Sequence, residues 1–305
     1  MIEEWRGFIQ KRANGSEIVN YNDPQLPAYI HRGWILPNVT WEKVPHYHDD
    51  IELVYIESGN MEYSIDGHII ELHPGDALFI NADQIHYSIA TENTPATYLL
   101  VVIHPSVFTT SSEFRTKYIE PITGNRDISY LFFHKGSESA TRFGYIMSEL
   151  FNYRTNEFQI TRLCLDLWAL FLSECEGRIR NNRTDYMDSH AEIFKAMINY
   201  IHSCYTSPIS LDDIAKAGNI SRTFCNTLFH KYTNQTPLEN LNRYRTGKVS
   251  ELLLKTNLSM SEIAERTGFS GASYMSEQFK RFYGSSPRVF KKEKQVLFEE
   301  IESSI

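Results

Sequence analysis

No run of apolar residues in this 305-residue chain approaches the ~20 needed to cross a bilayer, which excludes a helical membrane span. The first stretch, MIEEWRGFIQKRANG, lacks the basic start, apolar middle and small-residue cleavage site of a secretory signal, so a cytoplasmic protein is expected. Cysteine is scarce: Cys164, Cys175, Cys204 and Cys225 form no CxxC pair and sit in helix-like segments. That excludes a zinc ribbon and a disulfide framework and leaves buried thiols as the expectation. The chain also lacks an excess of positive charge, with 30 Lys and Arg against 38 Asp and Glu, a net −8. The deficit is uneven. Residues 1–190 carry 15 basic and 26 acidic residues (−11) and residues 191–305 carry 15 and 12 (+3), rising to +6 without the last eleven residues. An acidic module joined to one suited to a polyanion is implied.

What is present fills about two domains, given the length and the 42% hydrophobic content. From about 28 to 105, YIHRGWIL, HYHDDIELVYI, NMEYSIDGHIIEL, GDALFI, HYSIA and TYLLVVI are short, rich in β-branched and aromatic residues, and separated by Gly, Pro, Asn and Asp. Such spacing predicts a small β-sandwich or barrel. After Pro105 the period changes. Ile146, Leu150 and Phe151, then Ile160, Leu163, Leu167, Leu170 and Phe171, recur at helical spacing and predict two amphipathic helices, about 137–177, that pack on the barrel or also form a dimer interface. The polar stretch 181–190 reads as a linker.

The remainder, 191–305, is helical and contains a repeat. Ile214, Ala215, Ser221, Phe229, Tyr232 and Pro237 recur as Ile263, Ala264, Ser270, Phe279, Phe282 and Pro287, an offset of 49 before the turn and 50 after it. Each copy opens on a capping box, Ser210 with Asp213 and Ser259 with Glu262, and each first helix ends at a residue tolerant of left-handed geometry, Asn219 or Gly268. A second helix follows Ser221 or Ser270. Two helix-turn-helix units, about 210–232 and 259–283, are predicted. Between them LENLNRYRTGKVSELLLK is one helix of roughly 17 residues, about 25 Å, a spacer that suits the ~34 Å repeat of successive major grooves.

With SxxxIAxxxGFSxxSYxSxxFKRxYGxSPxxF in its second copy, carried by Ile263, Ala264, Gly268, Phe269, Ser273, Tyr274, Phe279, Lys280, Gly284 and Pro287, the part from about 190 to 294 resembles the AraC/XylS family of transcription regulators. The first part is similar to that family's cupin-like effector domain, with His46, His48, Glu52 and Gly59 in an H-x-H-x3-E-x6-G pattern and His86 after PGDALFIN. The resemblance implies an α+β chain. A cupin-like β-barrel with two trailing helices would span 1–180, a linker 181–190, and an all-α double helix-turn-helix 191–305. It further implies a homodimer that binds double-stranded DNA half-sites, meets RNA polymerase, and acts as an activator under a small-molecule effector such as a sugar. The chain departs from the family pattern at Glu277 (usually Arg), Met275 (usually Phe), Val249 (usually Ala) and Asn234 (usually Gly).

Carried over by motif, the first reading helix presents Arg222, Thr223, Asn226 and Thr227 to base edges and the second Ala272, Ser273, Ser276 and Glu277. Asn226 suits adenine, the Thr methyls suit thymine, and Glu277 either accepts from cytosine or is structural. Phosphate contacts are expected from Arg222, Lys231, Arg245, Lys248, Lys280, Arg281 and Arg288. Phe224, Leu228, Phe229, Tyr274, Met275 and Phe279 are expected in the core.

On a strand, period two sends His46, His48 and Glu52 one way and Tyr47, Ile51 and Leu53 the other. Three readings stay open. With His86, the first three can bind a divalent metal such as Zn, Fe or Mn, which admits a metal-dependent enzyme as the rival function. They can instead line an effector pocket walled by Arg32, Trp34, Met61, Tyr63 and Tyr87, the reading favoured here, without catalysis. Or they are satisfied core residues of a barrel that only dimerises.

Overall fold

The computed structural model describes residues 10–12, 15–35, 44–91, 96–125, 127–179 and 189–293. It divides into two compact units, one built on Lys11–Pro37 and His46–Met187 and the other on Asp188–Ile305. The expected linker falls almost wholly outside the described residues, as do residues 1–9 at the start of the chain and 294–305 at its end.

The first unit contains a hairpin-like pair, β1 (Gln10–Lys11) and β2 (Glu17–Ile18), and two larger antiparallel sheets. The five-stranded sheet runs in the order β10 (Tyr130–Phe133), β7 (Ala77–Ile80), β4 (Ile51–Ser58), β9 (Ala96–Ile103), β3 (Ala28–Ile35). The three-stranded sheet runs β6 (His68–Leu72), β5 (Met61–Ile65), β8 (His86–Ala90). The expected strand NMEYSIDGHIIEL is two strands. Asp66 and Gly67 both take positive φ (50° and 87°), as a two-residue type I′ turn requires, and Ile65 pairs with His68 across it.

Alternation along β4 gives each face of the five-stranded sheet its own core. Ile51 and Leu53 join Phe79, Leu99, Val101 and Phe133 against two helices, α3 (Glu138–Asn152) and α4 (Glu157–Ile179). Val54 and Ile56 face inward with Met61, Tyr63, Ile65, Leu72 and Ile80 to fill the barrel between the two sheets. Short turns α1 (Ser112–Phe114) and α2 (Glu120–Thr123) lie between β9 and β10. On α4, Trp168 is wholly buried among Phe79, Phe108 and Phe171 and donates its Nε1–H to the Tyr118 carbonyl at 2.8 Å.

The second unit is helical: α5 (Ser189–Cys204), α6 (Leu211–Ala217), α7 (Arg222–Thr233), α8 (Pro237–Lys255), α9 (Met260–Arg266) and α10 (Ala272–Tyr283). Both expected capping boxes are formed, and Thr236 with Glu239 makes a third at the start of α8. Asn219 (φ 53°) and Gly268 (φ 77°) make the left-handed turns of the two helix-turn-helix units. Asn234 takes φ 53° at the end of α7, as Gly284 (φ 72°) does at the end of α10. That explains why asparagine can stand where the family has glycine. The repeat is unequal at one point. The Ser221 hydroxyl caps α7, whereas α10 starts after Gly271, one residue later than expected, with no side-chain cap.

Helix α8 is the shared spine. Every residue from Tyr244 to Glu251 is buried, three of them charged. Arg245 donates from Nε to the Tyr205 carbonyl and from Nη2 to the Ser207 carbonyl, both at 2.8 Å. The Lys248 ammonium lies over the Tyr244 and Tyr205 rings, and Glu251 pairs with Lys255 at 3.0 Å. Val249 and Leu253 then pack with Ile263, Phe269, Met275, Phe279 and Phe290 of the second copy. Cys164, Cys175 and Cys225 are buried and Cys204 is half-buried. Among the described residues no helix is long and apolar enough to cross a membrane.

Candidate functional site

Two constellations carry the chemistry, and the first lies inside the barrel unit. His46 and His86 form an isolated antiparallel bridge, with His86 N–H donating to the His46 carbonyl at 2.9 Å and His46 N–H to the His86 carbonyl at 3.1 Å. That pairing brings their rings to 4.4 Å, and the His48 ring lies 4.9 Å from that of His86. Glu52 enters from β4, flanked in register by Ile80 and Val102. One donor atom from each of His46, His48, Glu52 and His86 lies within 4.8 Å of all the others. Only His46 is not fully buried.

A carbonyl can only accept, so the 3.0 Å contact of His48 Nδ1 with the Asp50 carbonyl and the 2.9 Å contact of His86 Nδ1 with the Gln84 carbonyl assign hydrogen to both Nδ1 atoms. Both Nε2 atoms then face Glu52 Oε2, each at 3.4 Å. Tyr63 donates to the other carboxylate oxygen at 2.8 Å. Burial alone would lower the affinity of His48 for its proton, but the Glu52 carboxylate outweighs it and raises the pKa. Burial would raise that of Glu52, yet the charges of His86 and His48 hold it well below the usual carboxylate range. Burial, reinforced by Glu52, drives the Tyr63 phenol well above its ordinary value.

This donor set fits a metal. His86 Nε2 is buried 3.4 Å from Glu52 Oε2 without a hydrogen bond of good geometry. A cation shared by the imidazoles and Glu52 would satisfy that nitrogen. The contacts of Nδ1 with backbone carbonyls are the outer-shell partners that orient metal-binding imidazoles.

The second constellation is the exposed face of α7 and α10. Arg222, Thr223, Thr227 and Lys231 are exposed on α7 and Asn226 is half-buried. On α10 Ser273, Glu277, Lys280 and Arg281 are exposed and Ala272 and Ser276 half-buried; Arg288 beyond it is exposed. Several of these side chains bond within the protein. The Asn226 amide donates to the Arg222 carbonyl at 3.0 Å, and the Thr227 and Ser276 hydroxyls donate one turn back. Asp212 holds the Arg222 guanidinium in a two-point pair, and Glu239 holds Arg281.

A family model described as a cupin domain matches residues 34–102, and one described as a helix-turn-helix domain matches residues 214–293. An uncharacterized HTH-type transcriptional regulator of Bacillus subtilis, YdeC, is 28% identical over 92% of this chain and 96% of its own. Both domain matches agree with the resemblance of the two parts to AraC/XylS regulators. The chain is also 29% identical, over 33% of its length and 36% of the relative's, to the raffinose operon transcriptional regulatory protein RafR of Pediococcus pentosaceus. A 1.65 Å structure of ToxT from Vibrio cholerae aligns with 87% of this chain and 98% of its own at 15% identity, with a TM-score of 0.47. DNA-binding transcription regulation of the AraC type is therefore its function.

Several expected site residues of the regulator stand elsewhere. Arg32 and Trp34 share the parity of Ala28 and Ile30, which puts them on the outer side of β3; Arg32 pairs with Glu57 at 2.9 Å and covers the Phe151 ring. Neither joins the histidine cluster. Met61 fills the barrel core, and Tyr87, adjacent to His86 on β8, is on the opposite face. Arg245 and Lys248 are buried in the spine and cannot reach phosphate. Their charge suggested a surface that helix packing takes away. Tyr274, expected in the core, is 41% exposed and accepts a hydrogen bond from Asn242, while Phe224 is half-buried against the His190 ring. Leu228, Phe229, Met275 and Phe279 are buried as expected, with Met275 filling the family's Phe position.

Proposed function

We propose that this regulator binds double-stranded DNA half-sites as a cytoplasmic homodimer, recruits RNA polymerase as an activator, and is controlled by a divalent transition metal held by His46, His48, Glu52 and His86, without enzymatic turnover. The observation that carries the metal is the His3Glu set, buried except at His46, whose donor atoms lie within 4.8 Å of one another. Imidazole and carboxylate donors suit Zn, Fe and Mn. The ion would supply a fixed positive charge at the barrel centre. A ligand controls DNA binding only if its affinity differs between the two DNA-binding states.

A sugar effector is the second reading, favoured by the name of the raffinose operon relative and by the Tyr63 hydroxyl beside Glu52. Elemental analysis of protein purified without chelator separates the two. About one metal per chain is expected for a ligand-complete site, and less than ~0.2 would overturn the metal reading. A thermal shift with a sugar in metal-free protein would favour the second, since a ligand that binds only the folded state must stabilise it.

Reading of DNA is assigned to Arg222, Thr223, Asn226 and Thr227 on α7 and to Ala272, Ser273, Ser276 and Glu277 on α10, with Lys231, Lys280, Arg281 and Arg288 on phosphate. Asn226→Ala is expected to cost ~1–3 kcal/mol at one base pair and little elsewhere. Lys280→Ala is expected to weaken every sequence alike and to reduce the salt slope by about one. Titrations of selected and scrambled duplexes at several salt concentrations measure both, and a uniform loss from Asn226→Ala would reject the assignment.

A further inference from the structure

The chain before β3 carries side chains that no motif spacing links to the barrel. Glu17 N–H donates to the Tyr47 carbonyl at 2.8 Å, which ties β2 to the backbone between the two histidines of the H-x-H pair. Arg12 tightens the same segment, donating to the Glu17 carbonyl at 3.0 Å and the Ser16 hydroxyl at 3.2 Å and pairing with Asp49 at 3.2 Å. Docked in this way, Glu17 turns its carboxylate toward the histidine cluster, with Oε2 3.7 Å from His46 Nε2. Its side chain is 13% exposed. It therefore borders the one ring of the cluster that is not fully buried.

From this geometry we infer that Glu17 is a further donor to the barrel metal, a second carboxylate brought by the N-terminal hairpin to the open side of His46. The inference rests on the metal reading above. Charge supports it. Three neutral imidazoles and Glu52 leave a divalent ion with an uncompensated positive charge in a mostly buried site, and a second carboxylate cancels it. The reach is short, since 3.7 Å between Glu17 Oε2 and His46 Nε2 allows both atoms to meet one ion with small side-chain adjustment. A consequence follows by linkage: metal binding and docking of the Lys11–Ile18 segment strengthen each other. Lys11 and Arg12 supply trypsin sites that report on docking.

Zinc is titrated into the full-length, metal-stripped chain and into Glu17→Gln and Glu17→Asp, with thermal melting to check folding. Wild type is expected to bind one zinc and Glu17→Gln to bind it about 10- to 100-fold more weakly, with Glu17→Asp between. Zinc is expected to slow trypsin cleavage after Lys11 and Arg12 in wild type and to lose that effect in Glu17→Gln. Equal zinc affinity in wild type and Glu17→Gln would overturn the donor role and leave the metal reading standing. Faster cleavage of the metal-free Glu17→Gln than of metal-free wild type would also overturn it, by showing that the carboxylate only docks the hairpin. If wild type takes up no zinc, manganese or iron, the metal reading itself falls, and the inference with it.

Discussion

Alanine in place of Trp168 is expected to destabilise the barrel unit by about 3–5 kcal/mol, the usual cost of emptying a buried aromatic site. The ring is 1% exposed, touches three phenylalanines, and ends on a hydrogen bond to the Tyr118 carbonyl that the substitution also leaves open. Collapse around the cavity is resisted from both sides, because Phe79 belongs to the central sheet and Phe171 to the same turn of α4. Urea unfolding followed by far-ultraviolet circular dichroism measures the loss. Phe158→Ala, at a residue 74% exposed on the same helix, is the control and is expected within ~0.5 kcal/mol of wild type. A Trp168→Ala cost below ~1 kcal/mol would mean that α4 is not seated on the sheet as described.

Gly268→Ala is expected to cost about 3 kcal/mol and to abolish tight DNA binding. Two effects add. Glycine sits there at φ 77°, a conformation that L side chains rarely adopt. A Cβ would also run into the Tyr205 carbonyl oxygen and the Thr206 backbone. That carbonyl cannot yield easily, since Arg245 holds it from the buried spine. Gly271→Ala, three residues on, is the matched control. Its Cβ meets nothing within 4 Å and its φ of 171° is ordinary extended backbone, so a change within ~0.5 kcal/mol is expected. Thermal melting and duplex titration of both variants check the pair, and equal behaviour would refute the account of the turn.

Features governed by local rules were legible in the sequence. The capping boxes, the left-handed turns at Asn219 and Gly268 and the alternation that sends Glu52 inward and Leu53 outward depend on residues a few positions apart. What depended on distant packing was not. Lys248 and Arg245 carry the charge of surface residues but lie inside the spine because both helix-turn-helix copies fold against α8. Arg32 and Trp34 had suitable chemistry for a pocket on the wrong parity of β3. The four residues of β10 were too few to announce a strand, although they close one edge of the large sheet. Glu17 lies 29 residues before His46, and nothing in the spacing foretells their meeting.

The buried middle of α8 makes the DNA-binding unit a gauge of length as well as a reader of bases. Its charges are met within the unit, its apolar side is shared with the second reading helix, and it has no glycine or proline hinge at an exposed position. B-DNA turns by about 34–36° per base pair, so one base pair inserted between the two contacted segments would carry the second out of reach of α10. A spine this firmly packed cannot twist to follow. Spacing between the segments should therefore be as strictly required as the bases within them.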